Sequence, residues 1–124
     1  MKTTLTNDEF QLSLRSFTGT ESWFRVGINP RVLYTEGVKY VADSFGAYWL
    51  LDLIATEQWD KKLSKEEFQV WKLKVNVKES EGVLTCEDGN NSTVYTKELS
   101  YTDFPFPEVT LWYTNNVILL PSEY

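Results

Sequence analysis

The hydrophobic period changes once along this 124-residue chain, and the change falls near residue 65. Upstream, apolar residues recur every three or four positions: Phe10, Leu14 and Phe17, then Val38, Val41, Ala42 and Phe45. Downstream, Trp71, Leu73, Val75 and Val77 alternate with Lys72, Lys74, Asn76 and Lys78. A helix repeats about every 3.6 residues and a strand every two, so one chain carries both kinds of element in sequence blocks. The expectation is a single α+β domain, with a helical half over about 6–60 and a β half over about 66–120. A mainly antiparallel sheet of about five strands would be covered on one face by about three helices.

Local signals sharpen the boundaries. Thr6 followed by Glu9 matches a capping box, and Leu5 against Phe10 a hydrophobic staple, so the first helix starts there. Thr18-Gly19-Thr20 ends it. Ser22 to Val26 and Arg31 to Tyr34 read as short extended pieces around the turn cluster Gly27-Ile28-Asn29-Pro30, and pair as a hairpin. Thr35 caps the second helix, and Gly46 either ends it or kinks it before a third, Ala47 to Trp59, that is apolar almost all round and hence central. Residues 60–65 read as a polar connector. Asp88-Gly89-Asn90-Asn91 and Asn115-Asn116 are hairpin turns, and Phe104-Pro105-Phe106-Pro107 is a loop.

Several chemistries are excluded by residue type. The chain contains no histidine, which removes His-based proton transfer, His-activated nucleophiles and the usual zinc and iron ligand sets from its repertoire. Cys86 is its only cysteine, so it has no disulfide partner within the chain and suits a reducing, cytoplasmic setting. Glu87 and Asp88 beside it raise a thiol pKa, so Cys86 reads as a small core residue. The glycines are isolated and form no phosphate loop. No cofactor is expected. The opening MKTTLTNDEF lacks the apolar run of an export signal, and no stretch approaches the ~20 residues of a membrane span. Asn90 and Asn91 match glycosylation patterns but read as turn residues.

Charge is uneven. Residues 66–124 hold ten acidic and four basic side chains, whereas residues 1–65 hold eight of each. The net charge of −6 therefore belongs to the second half, which disfavours nucleic-acid backbones as partners. Glu79, Glu81, Glu87, Asp88, Glu98, Asp103 and Glu108 form a candidate acidic face. It would occupy a basic groove on a protein partner, as an imitation of nucleic-acid charge, or simply keep the protein soluble.

A second candidate site centres on Asp52. On a helical wheel Tyr48, Trp49, Thr56 and Trp59 all fall within about 60° of it. An acid enclosed by aromatic rings would take a cation or amine, or act as a general acid with a raised pKa. The alternative is a buried Asp bonded to an indole, a phenol or an arginine such as Arg15 or Arg25. Paired-carboxylate hydrolysis has candidates in Glu21, Glu36, Asp43, Asp52 and Glu57, but no spacing selects a pair, and Lys39–Asp43 is an ordinary helix-surface ion pair.

Three pieces of the string, Phe17-Thr18-Gly19-Thr20-Glu21, Tyr34 to Tyr40 and Gly46 to Asp52, resemble in order a family known as an uncharacterised domain of bacterial, plasmid and phage genomes. The resemblance covers roughly residues 5–77 and carries no reaction. It implies the setting of small cytosolic accessory proteins on mobile elements, many of which modulate host or defence factors. The leading expectation is thus a non-enzymatic protein binder. A small-molecule binder or hydrolase at Asp52 is the second, and a homodimer pairing through a strand edge such as Val117 to Leu120 the third.

Overall fold

The computed structural model describes residues 5–124. The expectation about an export signal falls partly on Met1 to Thr4 and there lies outside the described residues. Helix α1 (Asn7–Arg15) is followed by β1 (Trp23–Val26), β2 (Asn29–Thr35), α2 (Glu36–Phe45), α3 (Tyr48–Glu57) and α4 (Lys61–Ser64). Then come β3 (Phe68–Asn76), β4 (Glu81–Asp88), β5 (Thr93–Leu99), β6 (Glu108–Thr114) and β7 (Val117–Leu119), with a 3-10 turn at Pro121–Glu123.

The capping signals hold. Thr6 accepts from the Glu9 backbone while the Glu9 carboxylate accepts from the Thr6 backbone, which closes the predicted box. Thr35 caps α2 through Val38, and Gly46 ends that helix at φ +65°, a conformation that suits a residue without Cβ.

Strand and helix counts differ from the sequence-based expectation. The described residues form a seven-stranded mixed sheet in the order β1-β2-β7-β6-β3-β4-β5 with four helices, not about five strands and three helices. The two additional strands are the hairpin β1–β2. It joins the sheet through a parallel pairing of β2 with β7, Leu33 opposite Val117 and Tyr34 opposite Ile118. Such pairing joins residues far apart in sequence and leaves no local signature. The additional helix is α4, where the Asp60 carboxylate accepts from the backbone of Lys62 and Leu63 and turns a polar connector into a helical turn. Val117 to Leu120 is not an edge either. β7 lies between β2 and β6, and the free edges are β1 and β5.

One face of the sheet is dry. Trp71, Leu73, Leu84, Cys86, Leu111 and Ile118 alternate inward and are almost fully buried. Val38, Val41, Ala42 and Phe45 of α2 and Leu50, Leu51, Ile54 and Ala55 of α3 supply the other side of the core. Phe10 of α1 stacks on Phe106 at 4.0 Å and meets Phe45 edge-on at 5.2 Å. The Phe-Pro-Phe-Pro loop is therefore an anchor, because its two rings lie inside the core while its prolines keep it out of the sheet.

A buried amide fastens β3 to the helices. Gln69 is 0% exposed. Its Nε2 donates to Gln58 Oε1 and to the carbonyls of Leu63 and Glu66, while its Oε1 accepts from Gln58 Nε2 and from the Trp71 indole. Every polar atom of Gln69 has a partner, as burial requires.

Candidate functional site

The Asp52 constellation does not assemble as a pocket. Asp52 is exposed on α3, so its expected burial among aromatic rings is corrected. The helix turns Leu50, Leu51, Ile54 and Ala55 to the core, and that orientation leaves Asp52 in water. Tyr48 instead donates its hydroxyl to Asp43, which also accepts from Lys39. These bonds, the one from Lys39 foremost, lower the Asp43 pKa, and the Asp43 bond raises that of Tyr48. Trp49 is half-buried against the core, Thr56 bonds the Leu53 carbonyl, and Trp59 stands 62% exposed beyond the helix end.

The acidic candidates scatter over several environments. Glu81, Glu87, Glu98 and Glu108 share the outer, helix-free face, but Lys72 and Lys74 stand among them. Lys74 pairs in register with Glu108, and Lys72 forms a 3.2 Å ion pair with Glu87. Asp88 caps its own hairpin by accepting from the backbone of Asn90 and Ser92. Glu79 and Asp103 are exposed outside the strands. The face is one of mixed charge with an acidic excess, not an unbroken anionic surface.

That same outer face carries a cluster which the sequence reading missed. Phe68 on β3, Trp112 on β6 and Tyr124 beyond the 3-10 turn meet edge-to-face with ring centroids 5.1, 5.5 and 5.4 Å apart. Tyr124 is 75% exposed. Beyond β2, Trp23 on β1 is 54% exposed, and a groove of about 330 Å³ runs between it and Tyr124 over Thr35, Val117 and Leu119. A signal existed in the string: Phe68, Val70 and Trp112 are apolar at positions whose neighbours Gln69, Trp71, Leu111 and Tyr113 must point the other way. A strand apolar on both faces covers more than one partner.

Glu123 holds this end of the face in place. Its carboxylate accepts from the Gly37 backbone at the start of α2, from the Thr35 hydroxyl and from the Leu120 backbone. An anion at a helix N-terminus is favoured by the unpaired N–H groups and the helix dipole.

Cys86 is buried in the sheet core, and burial, helped by Glu66, Glu87 and Asp88, pushes its thiol up to about 12. Among the described residues no group of three or more Cys, Asp or Glu side chains is placed to hold a metal ion, and no helix is long and apolar enough to cross a membrane.

Fold and site together define an α+β domain with one sheet face sealed by helices and the other left open with aromatic rings upon it. Residues 8–124 match the Family of unknown function (DUF6876), and the chain belongs to that family. No curated protein and no solved structure matches it.

Proposed function

We propose that this chain is a non-enzymatic binding protein of a bacterial mobile element, plasmid or phage, and that it docks a protein partner on the open face of its sheet in the cytoplasm. The observation that carries the reading is the Phe68–Trp112–Tyr124 cluster on a face with no helix over it. Interface cores are enriched in such rings, with charged groups at the rim. Glu81, Glu98 and Glu108 with Lys74 supply a rim on this face, and the acidic excess of the second half favours a partner with a basic patch. The genomic setting rests on the resemblance of the three sequence pieces, and the cytoplasmic one on a lone, buried thiol.

The test compares affinity capture by the native protein and by a Trp23→Ala/Tyr124→Ala variant, both from host lysate treated with nuclease. Both side chains are mostly exposed, so the variant stays folded, and its melting temperature, read alongside, accounts for the Tyr124 ring contacts with Phe68 and Trp112. A stoichiometric protein held by the native chain, lost with the variant and weakened by salt supports the reading. A partner that the variant retains at full strength sinks it.

A further inference from the structure

The end of the sheet beside the α3–α4 corner holds a second cleft, of about 580 Å³, which lies within the ordinary size range of small-molecule sites. It shares only Thr114 and Asn115 with the groove next to Trp23. Its floor is Val32 and Tyr113, both buried, and its walls carry the exposed Trp59 indole, Arg31, Glu66, Glu67, Gln58 and Asn116.

Part of this wall is held before any ligand arrives. Gln58 is fixed by its reciprocal bonds with Gln69 at 2.8 and 2.9 Å. Gln69 also pins the carbonyls of Leu63 and Glu66, and so the backbone that presents the two glutamates. The Asn116 carbonyl accepts from the Leu33 backbone at 2.8 Å, and its side chain from the Tyr113 hydroxyl at 3.3 Å. Asn29 is tied to the Ala55 carbonyl at 2.9 Å. A pre-organised polar wall loses little entropy on binding.

The lining also selects the chemistry of the occupant. One guanidinium against two carboxylates leaves the cleft slightly negative, which is wrong for a phosphate or a nucleotide. The walls are too polar for a hydrocarbon ligand. A ring that offers C–H groups on one face and hydroxyls around its edge satisfies both halves: the indole takes the apolar face, while carboxylates, amides and guanidinium take the hydroxyls. We propose that this cleft binds a neutral saccharide, a mono- or disaccharide stacked on Trp59 and hydrogen-bonded to Glu66, Glu67 and Arg31. The site is separate from the open sheet face and stands or falls independently of it.

The experiment is a two-dimensional amide and indole NMR titration of the full chain. The probes are glucose, galactose, mannose, N-acetylglucosamine and their disaccharides at millimolar concentration, with adenosine and uridine alongside. The expected result is a saturable shift for at least one sugar, confined to Trp59, residues 66–67 and residues 115–116. Trp59→Ala should weaken it about tenfold or more without lowering the melting temperature. Glu67→Gln, at an exposed position, should weaken it less. No saturable shift with any sugar, binding unchanged in Trp59→Ala, or shifts with the nucleosides alone would each overturn the proposal.

Discussion

Gln58 and Gln69 form a reciprocal amide pair, each donating to the other at 2.8 and 2.9 Å, and this pair joins the end of α3 to β3. Gln69 also accepts from the buried Trp71 indole, so one side chain serves the end of α3 and a core ring of its own strand.

Gln69→Ala should therefore be among the most damaging single changes. It leaves the Trp71 N–H without its acceptor inside the core, and Gln58 without its mate. An unsatisfied buried group costs about 1–3 kcal/mol, so the loss in urea denaturation should reach about 3 kcal/mol. Gln58→Ala, at a half-buried position, should cost less.

Gly37→Ala should destabilise, although alanine is the better helix former by about 1 kcal/mol. A Cβ at Gly37 would lie 2.6 Å from Leu120 Cδ1 and 2.8 Å from Glu123 Oε1. Both neighbours are committed, one to the core and the other to three hydrogen bonds. Overpacking of this kind costs about 1–3 kcal/mol. Adding Glu123→Ala should be less than additive, which a double-mutant cycle would read.

Asp52→Asn should shift stability by no more than about 0.5 kcal/mol, the usual range for an exposed position without special contacts. A larger fall in the thermal midpoint would mean that the carboxylate is engaged in the fold after all.

Cys86 should resist thiol reagents at pH 8 in the native state and react at once in urea. Its pH linkage has a definite sign. Folding raises the thiol from its ordinary 9.0 to about 12, through burial first and nearby carboxylates second. Stability is thus intact below pH 9.0 and falls as pH rises toward about 12, where the unfolded chain ionises and the folded one does not. Denaturation midpoints at pH 8, 9.5 and 11 should fall in order, with a shallower fall in Cys86→Ala.

Much of the architecture was legible because its determinants are local. The Thr6–Glu9 box, the Thr35 cap, the Gly46 stop and the Asn115-Asn116 turn depend on residues within a few positions of one another. The β2–β7 pairing was not legible, since register between distant strands is set by the whole sheet. Asp52 failed for a related reason. A wheel gives angles between side chains, but α3 is apolar over most of its circumference, so the pattern could not say which side would meet the sheet. Phe68 and Trp112 stood out by no local signal of their own, one just ahead of the alternating run that begins at Trp71 and the other within an apolar strand. Their exposure depends on which face the helices leave bare.

The place of β7 has a bearing on how the molecule is made. The β1–β2 hairpin is synthesised long before its neighbour in the sheet, Val117–Leu119, which comes last along the chain among the described strands. Until then the hairpin and the β3–β6 strands are two unjoined sheet fragments with exposed edges. The final closure spans more than eighty residues of chain, from Leu33 to Val117, and contacts so distant in sequence form slowly. Nascent chains halted short of residue 117 would be the aggregation-prone species, and the aromatic rings at stake are those that the finished sheet holds in order.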